Sequence, residues 1–71
     1  MASLTSSVIV ESVPNAGTQR NRYRYTFDNG EVHERIGWIP VAASAAADMT
    51  ARGTALLDEL AQAEFERLIG S

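Results

Sequence analysis

The stretch Tyr23-Arg24-Tyr25-Thr26-Phe27-Asp28-Asn29-Gly30-Glu31-Val32-His33-Glu34-Arg35-Ile36 decides the fold. Asn-Gly between two β-forming runs is the signature of a two-residue type I′ hairpin, in which both central residues take positive φ. Such a turn sets Phe27 opposite Val32, Thr26 opposite His33, Tyr25 opposite Glu34, Arg24 opposite Arg35 and Tyr23 opposite Ile36. Residues directly opposite one another share a sheet face. One face then carries Tyr23, Tyr25, Phe27, Val32, Ile36 and Trp38, with Glu34 as its polar exception. The other carries Arg22, Arg24, Thr26, Asp28, Glu31, His33 and Arg35. A slip of one residue would send every side chain of the moved strand to the opposite face. The pairing has one internal cost: Arg24 opposite Arg35 is unfavourable unless an acid lies between them, either Glu31 on a diagonal or a carboxylate of another chain.

Upstream, Leu4 to Val13 reads as a further strand, bounded by Pro14-Asn15-Ala16-Gly17. Strict alternation places Val8 and Val10 on one face and Ile9 and Val13 on the other, so coverage on both sides is expected. Downstream of Pro40 the period changes. Met49, Gly53, Leu56, Leu57, Leu60 and Leu68 recur on one stripe at 3.6 residues per turn. Ser44 or Asp48 is placed to cap the start, Gly70 stands where a C′ glycine belongs, and Asp48 with Arg52 forms an i,i+4 pair. Gly53, unfavourable inside a helix, points to close approach between helix and sheet. The expected fold is α+β in a single small domain, 1–71: a three-stranded antiparallel β-meander over 1–39, a connector over 40–45 and a helix over 46–69.

Composition narrows the function by exclusion. The chain has 71 residues, a net charge of −3 and no cysteine, which removes disulfides, thiolate catalysis and zinc fingers together. No apolar run is long enough to cross a bilayer, and the N-terminus lacks the basic and apolar regions of a signal peptide. A domain this small, with neither disulfide nor metal staple, buries little core per ordered residue, so association with other chains is the expected supplement.

All six basic residues are arginines, and Arg20, Arg22, Arg24 and Arg35 fall on the hairpin. Interleaved with Tyr23, Tyr25 and Phe27 they suggest a nucleic-acid strand, with cations for phosphates and rings for bases. Alternation opposes this, because arginines and tyrosines point to opposite faces, and nearby Asp28, Glu31 and Glu34 offset the charge. His33 lacks a recognisable nucleophile or second ligand beside it, and reads as a surface histidine. Glu34, on the aromatic face, reads as a carboxylate bonded to a tyrosine hydroxyl or reaching water. No catalytic, cofactor-binding or metal-ligating residue emerges, and no enzyme is expected.

Phe65 and Ile69 lie about 140° and 180° around the helix from Leu60, outside the stripe. They are expected to meet another chain while Leu56 and Leu60 fill the subunit's own core. Arg22, Arg24 and Arg35 form the next candidate surface, suited to an acidic partner.

Taken together, Tyr23-Arg24-Tyr25-Thr26-Phe27, Asn29-Gly30, Gly37-Trp38-Ile39-Pro40 and an Ala/Leu/Glu helix ending near Ile69 resemble the short accessory virion proteins of tailed bacteriophages. These combine an N-terminal strand, a Y-x-Y-x-F strand, an N-G or D-G turn, a third strand with a Gly…Pro exit and a helix. The resemblance implies a structural role in a head, neck or tail, assembly in the host cytoplasm, and partners that are copies of the chain or larger virion proteins. It implies no small-molecule substrate, membrane or nucleic acid. The alternative is a small intracellular binding or regulatory module, with weak nucleic-acid affinity through the arginine strand.

Overall fold

A computed structural model describes residues 3–70; the remaining positions of the expected domain, Met1, Ala2 and Ser71, lie outside the described residues. Strands β1 (Leu4–Asn15), β2 (Thr18–Phe27) and β3 (Val32–Pro40) form one antiparallel sheet in the order β1-β2-β3, and helix α1 (Ala45–Ile69) follows. This is the meander-plus-helix expected from the sequence.

The two-residue turn expected at Asn29-Gly30 lies instead between β1 and β2. Asn15 pairs with Thr18 across Ala16 and Gly17, whose φ values are 49° and 87°, so the two-residue turn with paired positive φ lies here. Ala16 is the one described non-glycine residue with positive φ, where its Cβ crowds the following carbonyl. Ala16→Asn should offset that cost, because the Asn side chain hydrogen-bonds locally in the left-handed region, and raise stability by about 0.5–1 kcal/mol, seen as a rise of a few degrees in Tm in a thermal melt.

At the second turn Phe27 N–H donates to the Glu31 carbonyl (2.9 Å) and Gly30 N–H donates to the Phe27 carbonyl (3.1 Å). Gly30 has φ 89°, whereas Asn29 does not take positive φ. The loop is therefore three residues, Asp28-Asn29-Gly30, a type I turn closed by a left-handed glycine. Asn29 Oδ1 accepts from Glu31 N–H (2.9 Å), which supports this turn.

That extra residue shifts the register by one. Thr26 pairs with Val32, Tyr25 with His33, Arg24 with Glu34, Tyr23 with Arg35 and Arg22 with Ile36. The expected faces of β3 are thus exchanged. His33, Arg35 and Gly37 join Tyr23, Tyr25 and Phe27 beneath the helix, while Val32, Glu34, Ile36 and Trp38 join Arg20, Arg22 and Arg24 on the opposite face. The Arg24–Arg35 clash disappears, because Glu34 is the residue opposite Arg24.

β1 also departs from strict alternation. Irregularities between Leu4 and Ser6, and between Ile9 and Glu11, each insert a residue into the edge strand. The second leaves Val10 without a partner and brings Val8, opposite Arg24, and Val13, opposite Arg20, to the same face.

The core is small: Tyr23, Tyr25, Phe27 and Leu56, with Leu4, Met49 and Leu60 packed around it. Tyr23 and Tyr25 meet edge to face at 6.5 Å. Their hydroxyls dock the helix. Tyr25 donates to the Met49 carbonyl (2.7 Å) and Tyr23 donates to Asp48 Oδ2 (2.6 Å). Gly53, one turn beyond Met49, gives the Tyr25 ring its approach, since a Cβ there would stand 3.1 Å from the ring. Gln19 Nε2 reaches the carbonyls of Pro40, Val41 and Ala43, and so ties the connector to β2. Ser44 is the N-cap, accepting from Ala47 N–H (3.2 Å). Gly70 ends the helix at φ −79°, a conformation open to any residue, and not as the expected left-handed glycine.

Three of these groups make stability depend on pH. Burial lifts the pKa of Tyr23, reinforced by its bond to Asp48, and burial likewise lifts that of Tyr25, reinforced by neighbouring Tyr23. Burial alone would raise the pKa of Asp48, but the bonds it accepts from Tyr23 and Arg52 (Nε, 2.9 Å) outweigh it and hold the carboxyl below its usual range. A raised folded pKa supplies stability that is lost as pH climbs through it; a lowered one supplies stability lost as pH falls through it. The fold should therefore weaken below about pH 4 and above about pH 10. The chain has two tyrosines, both buried, so tyrosinate absorbance should appear only above pH 10 and together with loss of helical circular dichroism.

Candidate interaction surface

Helix α1 covers one face of the sheet and leaves the other open. Val8, Val13, Val32, Ile36 and Trp38 are all exposed on that open face, Trp38 at 60%. They surround a row of three arginines at alternate positions of the central strand, Arg20, Arg22 and Arg24. The row is stitched by two acids. Glu11 from β1 pairs with Arg20 (3.2 Å), and Glu34 from β3 sits between Arg24 (3.0 Å) and Arg22 (3.7 Å). Each pair is half exposed, so each adds at most about 1 kcal/mol; together they fix the side chains in place. Arg20 also lies 6.0 Å from the Trp38 ring centroid, in cation–π range. The Nε–H groups of Arg20 and Arg22 are shielded from solvent and have no acceptor. Three guanidiniums against two carboxylates leave the row with surplus positive charge and surplus donors.

The second exposed apolar region is the end of α1. At 1.5 Å per residue a 25-residue helix runs about 37 Å, longer than β2 or β3 beneath it at about 3.3 Å per residue. Its fully buried residues are Gly53 and Leu56, and every described residue after Ala61 is exposed. Beyond Leu60 the helix leaves the sheet, and an open groove of about 900 Å³ lies between it and the hairpin tip, bordered by Leu4, Asn29, Glu31, Leu57 and Glu64. Phe65 is 59% exposed and Ile69 66%. Leu68, placed on the core stripe by its spacing, is equally exposed, because no sheet lies beneath the last turns; Leu57, at the edge of the stripe, is partly so.

Of the five interface residues expected from sequence, Arg22 and Arg24 stand together on the open face, and Phe65 and Ile69 together on the helix end. Arg35 does not belong with Arg22 and Arg24. The register shift puts it under the helix, where it pairs with Glu59 (3.3 Å). Glu34 moves the other way, from an expected place beside Tyr25 to the arginine row. His33 is on the helix-covered face, half buried, edge-on to Phe27 at 5.4 Å and 3.8 Å from Glu31. The tyrosines are buried on the face opposite the arginines, as alternation requires, yet Trp38 places one aromatic ring beside Arg20.

Sequence reasoning missed Val32, Ile36 and Trp38 as surface residues, because their alternation was assigned inward. The Arg24–Arg35 clash was the signal against that register. Among the described residues there is no group of three or more His, Asp or Glu placed to hold a metal ion, and no helix long and apolar enough to cross a membrane. Comparisons with protein families, with characterised proteins and with solved structures find nothing that matches this chain.

Proposed function

We propose that this chain is a non-enzymatic structural subunit of a larger assembly, acting through protein–protein contacts, and that the assembly is a tailed-phage virion of the kind its sequence resembles. One observation carries the assembly reading: five large apolar side chains and an ordered arginine row share a sheet face that the chain's own helix does not cover. An exposed face that combines an aromatic ring, aliphatic side chains and arginines has the composition of an interface. The sheet has a helix on one side only, whereas domains with apolar residues on both sheet faces cover both.

The test uses particles purified from the protein's natural source. The chain should be present in them at fixed stoichiometry. Ile36→Glu with Trp38→Glu should remove it from the particles while the purified variant keeps a Tm close to that of the parent, since both residues lie on the face away from the core. Absence of the parent chain from particles, or incorporation of the double variant, would overturn the reading. Trp38 beside Arg20 supports a second reading, single-strand nucleic-acid binding. It requires tight binding at physiological salt, with Glu11 and Glu34 already occupying the arginines.

A further inference from the structure

The two exposed apolar regions carry opposite charge. From Leu57 to Ile69 the helix end holds Asp58, Glu59, Glu64 and Glu66 against Arg67, a net −3. The open sheet face holds Arg20, Arg22 and Arg24 against Glu11 and Glu34, a net +1. Resting on the assembly reading above, we propose that the open sheet face of one copy is occupied by the helix end of a second copy, so that copies join head to tail.

Three physical arguments select this occupant. Asp58 and Glu64 flank the stripe formed by Leu57, Ala61, Phe65 and Leu68 at 100° per residue, so a helix laid on the sheet brings carboxylates to the arginine row. Two open sheet faces packed on each other would instead oppose the arginine rows of the two central strands, and two helix ends packed together would oppose their acids. A helix on a sheet is also the packing this sheet already uses on its other side, so the second helix completes a three-layer unit.

The two surfaces cannot satisfy each other within one chain. The helix is docked on the covered face by Tyr23 and Tyr25 and leaves the sheet at the hairpin end. The contact is therefore heterologous and repeats, giving a ring or a filament in place of a closed two-fold dimer.

Two purified variants test this. Ile36→Glu with Trp38→Glu blocks the sheet face. Phe65→Lys with Ile69→Lys blocks the helix end, puts positive charge against the arginines and suits a helix C-terminus. Circular dichroism establishes that each is folded; if the lysine pair disturbs the helix, Phe65→Ser with Ile69→Ser replaces it.

In light scattering the parent chain should grow beyond two copies with concentration and shrink with added salt. Each variant alone should be monomeric. A one-to-one mixture should form a species of two chains and no larger, because it contains one intact sheet face and one intact helix end. Dimers of the helix-blocked variant alone would mean sheet-on-sheet pairing, and dimers of the sheet-blocked variant alone would mean helix-on-helix pairing; either overturns the proposal. So does a monomeric mixture, or a parent chain monomeric up to about 1 mM. If the mixture stays monomeric while the parent chain still enters particles, head-to-tail contact falls and the assembly role stands. If the parent chain is missing from particles, the assembly role falls whatever the mixture does.

Discussion

Leu56→Ala should lower folding stability by about 3 kcal/mol, the largest loss expected from shortening any aliphatic side chain in the protein. Leu56 is the one side chain of α1 that is fully buried, set against Tyr23, Tyr25 and Phe27. The usual relief after such a truncation is collapse of the neighbours into the space. Here that relief is blocked. The Tyr23 ring is held at its hydroxyl by Asp48 and the Tyr25 ring by the Met49 carbonyl, so neither ring is free to swing into the space. A cavity remains and adds to the lost transfer free energy. A domain of this length has about 4–10 kcal/mol of stability in total, so Tm should fall by more than about 10 °C. Leu60→Ala, at a half-buried position, should cost about 1 kcal/mol, with both variants measured by urea titration. Equal losses for the two would mean that the core is not centred where Leu56 sits.

Gly37→Ala should cost about 2–3 kcal/mol, although it adds a single methyl group to a strand. A Cβ at this position would overlap the Asp48 carboxylate, lie 2.7 Å from Arg52 Nε and lie 2.9 Å from the Tyr23 ring. Arg52 is a flexible chain and can retreat. Asp48 cannot do so freely, because it accepts from Tyr23 and Arg52 at once; moving it strips the buried Tyr23 hydroxyl of its acceptor. The substitution therefore acts by undocking the first turn of the helix from the sheet. Asp48→Ala removes the same bonds on its own and leaves space for the methyl. The two losses should then be strongly non-additive, with Gly37→Ala costing much less in the Asp48→Ala background. Full additivity would show that the methyl acts elsewhere.

How far the sequence could be read depends on which signals were local. Strand order, the helix after Pro40, a cap at Ser44 or Asp48 and the close approach at Gly53 all rest on patterns within a few residues, and all appear in the structure, with Ser44 as the cap. The register of β3 does not rest on such a pattern. Asp28-Asn29-Gly30 is compatible with a two-residue loop and with a three-residue loop, and the choice moves every β3 side chain to the other face. The Asn-Gly signature selects the two-residue loop, which sends the apolar alternation of Val32, Ile36 and Trp38 inward, and that placement fails for a sheet face the chain leaves uncovered. Electrostatics was the better guide, since only the observed register sets Glu34 against Arg24. Val10 shows the same limit: an inserted residue in an edge strand leaves no mark in a hydrophobic pattern. Phe65 and Ile69 were legible as non-core because helical angles depend on nothing outside the helix. Gly37 was legible only as a glycine near a strand exit, because its neighbours Asp48 and Arg52 are brought to it by tertiary docking.

The inserted residues of β1 bear on how the sheet ends. β1 is an outer strand, hydrogen-bonded to β2 on one side only. A flat, continuous edge would recruit the same strand from a neighbouring molecule. The extra residues near Thr5 and Val10, with Pro14 lacking an N–H to donate, break the outer edge of β1 into short pieces that cannot template a long ladder. The irregular edge thus opposes growth of the sheet from one molecule into the next, whatever contacts its two faces make.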